Sequence, residues 1–283
     1  MELPYEIVDV FAERALAGNQ LAVVYAPSGL GTPLMQDIAR EMNFSETTFV
    51  SGAMGDERVR IFTPANELPF AGHPVLGTAS VLRARRGGAT VPDVTIRLAD
   101  NTVRVRFDDR HLAWFESPPA RQVSECEHAV LAARIGLQVE QLAFDPITVW
   151  DIGPRFLLAE VADMAALRAL RVSAETMQWL SATFSGFVGL FAFTTDAYGP
   201  DAHYAARMLF GVDGAVREDP ATGAANACFA AYLTGTKRDP GEVVIVEQGF
   251  EIGRPSRIFL RLGDVPEVGG RVQHIATGVL RLP

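Results

Sequence analysis

Two stretches of this chain follow one plan. Residues 66–82 read NELPFAGHPVLGTASVL, and residues 217–233 read REDPATGAANACFAAYL. In each, a strand gives way to a loop holding an acid and a proline, and the loop opens a helix of small residues. Few positions are identical, but the order of parts is the same. That order predicts two similar α/β units, each offering a helix N-terminus. The first N–H groups of a helix have no partner within it and lie at the positive end of its dipole, so they suit an anion. Two such ends facing across a cleft would grip a small acid. Small residues there also permit close helix packing, and the pattern alone leaves both readings open.

The rest of the chain fits around the repeat. EIVDVF alternates as a strand does, and GNQLAVVYA reads as a turn feeding a second. TPLMQDIAREM is helical, with Thr32 at the N-cap, Pro33 in the first helical position, and Leu34, Met35, Ile38, Ala39 and Met42 at helical spacing. ERVRIFTP is the next strand, and VTIRLA, TVRVRFD and HLAWFES form an antiparallel meander after the first small-residue helix. ESPPARQVS reads as a linker. Beyond it the pattern restarts with the helix HAVLAARIGL, the strands ITVWDIG and RFLLAEV, the helix ADMAALRAL and the strands FVGLFAFTT and HYAARMLF. A loop, GVDGAVREDPATG, leads into the second small-residue helix, which Gly235 is expected to close. EVVIVEQG, RIFLRLG and RVQHIATGVLRL finish the chain as strands.

The charge and cysteine content exclude several function classes. The net charge of −9 argues against nucleic acid, since phosphate binding wants a basic face. Two distant cysteines, Cys126 and Cys228, give neither a disulfide framework nor a CxxC zinc pair, and the five histidines lack metal-ligand spacing. No metal and no cofactor is expected: neither GxGxxG nor GxxxxGK[ST] occurs. No apolar run reaches membrane-spanning length, and the first residues read as a strand rather than a signal peptide, which predicts a cytoplasmic protein with no membrane partner.

Four ordered stretches then carry a resemblance. REMNFSETTFV, RIFTPANELPFAGHPVLGTA, EDPATGA and EQGFEIGRPS resemble the signature segments of the PhzF family, and the likeness runs over nearly the whole chain. It implies the diaminopimelate epimerase-like fold, an α+β architecture of two similar domains. Each domain is a mixed, mostly antiparallel sheet curled around a central helix, with the active site in the interdomain cleft. On this basis the domains are residues 1–117 plus 266–283, and 118–265. The last strand returns to the first domain.

The resemblance also implies roles. Glu46, in the N-x-S-E stretch, matches the family's catalytic acid/base. A lone glutamate is ordinarily a surface residue; here the match reverses that expectation. Apolar neighbours such as Phe44 and Phe49 would raise its pKa from about 4.3 toward neutrality, letting it take a proton from one carbon and return it to another. His73 matches an active-site histidine that binds substrate or tunes Glu46. Asp219 matches a substrate-contacting aspartate for an amino group, and it also suits a helix N-cap or first turn. The N–H groups of Gly72, His73, Gly223 and Ala224 would meet carboxylate or other polar oxygens. Asn19, in GNQ where the family has GNP, suits a turn and is a further candidate lining residue. Gln248–Gly249 and Gly253–Ser256 would bind substrate or shape an edge.

One departure is Ala224, where the namesake enzymes carry serine. A hydroxyl contact is lost and the backbone N–H remains, which puts the phenazine substrate in question more than the proton chemistry. The epimerases of this fold use paired thiols; Ala71 and Pro220 stand at those places, which disfavours two-thiol racemisation. Cys228 is expected in the core, and Trp114, Trp150 and Trp179 in core or interface. The expected function is a cofactor-independent isomerase of a small cyclic or unsaturated amino or hydroxy acid, like trans-2,3-dihydro-3-hydroxyanthranilate, and a homodimer. The alternatives are a non-catalytic small-acid binder on the same fold, or an isomerase or epimerase of a different substrate.

Overall fold

The structure, a computed structural model, describes residues 1–143, 145–236 and 238–282 of the chain. Its contacts divide it into two units, Met1–Glu116 with Gly269–Pro283, and Ser117–Val268. In the first unit, β1 (Glu2–Val10) pairs antiparallel with both β2 (Asn19–Tyr25) and the last strand, β18 (Val272–Arg281). β2 runs parallel to β3 (Glu46–Ser51) after a crossover through α1 (Thr32–Met42). β4 (Arg58–Phe62) returns antiparallel and pairs with the two-residue β5 (Glu67–Leu68) and, in parallel, with the end of β6 (Asp93–Arg97). β7 (Thr102–Phe107) and β8 (Ala113–Glu116) complete the meander.

The helix α2 (Gly72–Arg86) lies against β1, β2, β3, β6, β7, β8 and β18, so the sheet curls around it. Such a helix is buried on nearly every side, and strands can approach it only where its side chains are small. At Gly77 a Cβ would stand 2.5 Å from a Leu21 methyl and 2.8 Å from one of Val10. The opposite face of the sheet carries a second core. There Val24, Phe49 and Phe62 pack with Met35, Ile38 and Ala39 of α1, and the rings of Phe49 and Phe62 meet edge-on at 5.4 Å.

The second unit repeats the plan. β9 (Arg121–Cys126), β10 (Ile147–Asp151) and β11 (Arg155–Glu160) are antiparallel neighbours, with α3 (His128–Ile135) between the first two in sequence. β11 runs parallel to β12 (Val188–Thr194) after a crossover through α4 (Met164–Ala169) and α5 (Ala174–Phe184). β13 (Tyr204–Val212) returns, and β14 (Ala215–Asp219) folds back on it. The small-residue helix α6 (Gly223–Thr236) follows; β15 (Val243–Gln248) lies parallel to β13, and β16 (Ser256–Arg261) closes that edge. β17 (Glu267–Gly270) spans the boundary in sequence. Phe229 of α6 sits in an aromatic cluster, with ring centroids 4.4 Å from Phe193, 5.0 Å from Tyr204 and 5.4 Å from Phe191.

Several local expectations need correction. The N-cap of α1 is Gly31, and Thr32 and Pro33 are the first two helical residues. The N–H of either early position would have no intrahelical partner, so proline, which has none, fits the second position as well as the first. The Thr32 hydroxyl instead accepts from Arg60 Nη2 at 2.9 Å. The stretch 211–223 is not all loop: Asp213 and Gly214 take left-handed φ angles of 50° and 74°, the turn an Asp-Gly pair favours, and β14 follows. Residues 121–124 of the expected linker belong to β9. The helix α5, capped by the Ser173 hydroxyl accepting from Thr176 N, is an additional element between the helix ADMAALRAL and the strand FVGLFAFTT. Gly235 lies inside α6, whose last turn is braced by the Thr234 and Thr236 hydroxyls donating to the carbonyls of Ala230 and Tyr232.

Candidate active site

Alternation along the strands decides which side chains meet at the first unit's helix. Leu21 of β2 faces α2, so Asn19, two residues earlier, faces it too. In β3 the Thr48 hydroxyl lies 2.9 Å from the Thr78 hydroxyl of α2, and Glu46 shares that face. The parallel register sets Leu21 beside Glu46. Asn19 and Glu46 therefore arrive together at the end of the sheet where α2 begins, and His73 is the second residue of that helix.

The contacts follow from this placement. His73 Nε2 and Glu46 Oε2 are 3.3 Å apart, too poorly aligned for a hydrogen bond. The far ring nitrogen, Nδ1, lies 3.4 Å from Asn19 Nδ2. His73 is 5% exposed and Asn19 1%. Burial drives the His73 pKa from 6.5 down to about 3, and a backbone hydrogen bond at Gln20 only partly opposes it. Burial therefore favours the neutral ring at ordinary pH. The expected role of Phe49 beside Glu46 does not hold. Three residues apart on a strand, the two side chains point to opposite faces, and Phe49 belongs to the α1 core. Gly72 is the first residue of α2 and is buried. Ala71, its N-cap, supplies no side-chain cap, so nothing of its own covers the first N–H groups.

Asp219, Gly223 and Ala224 lie in the second unit. Asp219 ends β14 and is 9% exposed; Gly223 is buried and Ala224 half-buried in the first turn of α6. Around Asp219 is a network that motif reading left undecided. The Thr222 hydroxyl donates to Asp219 Oδ2 at 2.5 Å, and the Gln248 amide donates to the Asp219 carbonyl at 2.8 Å and to Thr222 Oγ1 at 3.1 Å. Gln248 Oε1 accepts from Asn226 Nδ2 at 3.0 Å and from Thr222 N at 3.4 Å. Gly249 takes φ +79°, and a Cβ there would stand 2.6 Å from the Pro220 carbonyl, so the backbone of the EQG segment presses directly on the loop carrying Asp219.

Cys228 is fully buried, and burial pushes its thiol pKa up, as does the charge of Asp151. Trp114 is in the core, and Trp179 packs against the core of the second unit. A cavity of about 630 Å³ in the first unit sits at the other end of α2, lined by Leu3, Tyr25, Val50, Leu82 and Arg86 among others; Glu46 and His73 do not line it. Among the described residues no group of acidic, histidine and cysteine side chains could hold a metal ion, and no helix is long and apolar enough to cross a membrane.

A mixed sheet curled around a helix, with the plan repeated in a second unit, places the chain among the isomerases of epimerase-like fold. The chain belongs to the PhzC-PhzF family of phenazine biosynthesis-like proteins, whose family model matches residues 8–277. It is 36% identical to the trans-2,3-dihydro-3-hydroxyanthranilate isomerase of Pseudomonas aeruginosa, over 91% of this chain and 89% of that one. Among solved structures, a predicted epimerase from the same organism is 31% identical with a TM-score of 0.82, covering 99% of both chains. A PhzF-family protein of Bacillus anthracis superposes with a TM-score of 0.88 over the full length of both at 22% identity, which speaks for the fold.

Proposed function

We propose that this isomerase moves a proton between two carbons of a small unsaturated amino or hydroxy acid, with Glu46 as the single proton carrier. The observation that carries the reading is the Glu46–His73 contact at the start of α2. The Glu46 carboxylate takes a proton from carbon and, as the acid, returns it to another carbon of the same conjugated system. No electrons leave the substrate, so the step asks for no redox cofactor. His73, neutral and buried, is proposed to fix the carboxylate's orientation. The N–H groups at the starts of α2 and α6, from Gly72, His73, Gly223 and Ala224, are proposed to take the substrate's acid oxygens, Asp219 its amino group, and Asn19 to hold His73. The named relative makes a trans-2,3-dihydro-3-hydroxyanthranilate-like acid the first substrate to try, while Ala224, with no hydroxyl, favours a different ring substituent at that position. The proposal extends to a cytoplasmic homodimer; two free cysteines fit a reducing compartment.

The test is deuterium wash-in. The protein is incubated in heavy water with a panel of cyclic and unsaturated acids including trans-2,3-dihydro-3-hydroxyanthranilate, and exchange at carbon is followed by mass spectrometry. Wild type exchanges one carbon-bound position, and Glu46→Gln slows it by about 10²–10⁴-fold. Equal exchange in the variant removes Glu46 from the mechanism; ligand binding without any exchange favours the small-acid binder.

A further inference from the structure

We propose that Gln248 is a positioning residue for Asp219, acting through the Thr222 hydroxyl. This rests on the reading of Asp219 as the ligand of the substrate's amino group. Gln248 is fully buried at the end of β15, and its amide is saturated. Both acceptor sites are taken, by Asn226 Nδ2 and Thr222 N, and its nitrogen donates to the Asp219 carbonyl and to Thr222 Oγ1. A hydroxyl has a single proton. Because Thr222 Oγ1 receives the amide hydrogen of Gln248, its own hydrogen is directed along the remaining short contact, to Asp219 Oδ2. The chain of donors runs one way, from Asn226 to Gln248 to Thr222 to the carboxylate.

Two consequences follow. The carboxylate receives a hydrogen bond that favours its anionic form, the form that accepts from an amino group. One of its oxygens is held by Thr222 while Gln248 holds the backbone carbonyl of the same residue, so the relay orients the carboxylate and anchors the chain that carries it. Gly249 lets this strand end approach the Pro220 carbonyl, closing the same loop from its other side. The EQG segment thus serves the site without touching the ligand.

The test separates positioning from simple support of the fold. Anthranilate and benzoate, which differ by the amino group alone, are titrated by calorimetry against wild type, Gln248→Met, Thr222→Val, Thr222→Ser and Asp219→Asn. The expected result is that wild type prefers anthranilate and that Asp219→Asn loses the preference. Gln248→Met and Thr222→Val should lower it about tenfold while benzoate affinity stays within twofold, and Thr222→Ser, which keeps the hydroxyl, should restore it. Thr222→Val removes only the relay, so it remains informative if Gln248→Met folds poorly. A preference unchanged in Gln248→Met and Thr222→Val overturns the proposal, as does an equal loss for both ligands. Deuterium exchange is run on the same samples. Wild type that discriminates between the two ligands yet exchanges nothing defeats the isomerase mechanism and leaves the relay standing.

Discussion

His73 makes the sharpest thermodynamic prediction. Its pKa is about 3 in the folded protein against 6.5 in an unfolded chain, because burial disfavours the charged ring. Between those values the unfolded state binds a proton that the folded state refuses. Stability therefore falls as pH falls, by about 1.4 kcal/mol per pH unit below 6.5, and is fully retained above it. At pH 5 this one group costs about 2 kcal/mol relative to pH 7.5. The assay is urea unfolding of wild type and His73→Asn at both pH values. The variant has no proton to refuse, so the stability gap, wild type minus variant, should shrink by about 2 kcal/mol on going to pH 5. An independent check is the His73 ring resonance, which should not titrate above pH 4.5. The opposite result is physically available, since a Glu46 carboxylate 3.3 Å away would pull a proton onto the ring. A gap that is constant or widens toward pH 5 would mean that this charge outweighs burial. His73 would then be a cation beside Glu46, and its proposed role as a neutral orienting group would fail.

Other perturbations read the scaffold. Arg207 and Glu218 form a largely buried pair on neighbouring strands β13 and β14, with Arg207 also donating to the Leu167 carbonyl; Arg207→Met leaves an uncompensated buried carboxylate and should cost about 3–5 kcal/mol in urea unfolding. Phe229→Ala empties the centre of the aromatic cluster and should cost a similar amount, about 3–5 kcal/mol, by the same assay. Gly77→Ala drives a methyl into Leu21 and Val10, forces α2 off the sheet, and should both destabilise by about 1–3 kcal/mol and slow deuterium exchange, since His73 rides on that helix. In a thiol-labelling time course on the native protein, Cys126, half-buried, reacts slowly, while Cys228 reacts only after unfolding.

What the sequence made legible was periodicity and motif; what it hid was depth. The small-residue runs at 72–82 and 223–233 announced helices that strands could approach closely, and Gly77 against Leu21 shows why those residues had to be small. The N-x-S-E segment marked Glu46, but its neighbours in sequence misled, because a strand sends Phe49 to the other face and brings His73 from a different element. The weak points were helix ends. Thr32 and Gly235 carry ordinary cap chemistry, yet the Thr32 hydroxyl is taken by Arg60, and α6 runs past Gly235 with the Thr234 and Thr236 hydroxyls bonded back one turn. The helix α5, although Ser173 is a readable N-cap, has a mixed pattern in which only Thr176, Met177 and Leu180 are buried. The Gln248 network could not be read because each link is long-range: nothing in EQG says that its amide will meet Thr222 and Asn226 more than twenty residues earlier.

The repeat, followed through its strand registers, shows that plan and chemistry have parted. Leu68 pairs with Ile61 as Asp219 pairs with Met208, and Ile61 pairs with Thr48 as Met208 pairs with Phe191. Stepping two residues back along β3 and β12 sets Glu46 against Gly189. The same step from β4 and β13 into β6 and β15 sets Leu98 against Gln248. The helix starts align His73 with Ala224. Every polar group of one cluster thus has an apolar or side-chain-free counterpart in the other. A racemase working with two equivalent bases would keep them at equivalent positions, so this asymmetry favours one proton carrier. Gly189 also has no room for a carboxylate: a Cβ there would stand 3.0 Å from the Phe156 ring and 3.1 Å from Met208 Sδ. Gly189→Glu placed in the Glu46→Gln background should therefore be destabilised and exchange no faster than Glu46→Gln alone. Recovery of exchange in that double variant would show that either half can host the base, and the single-carrier mechanism would have to be abandoned.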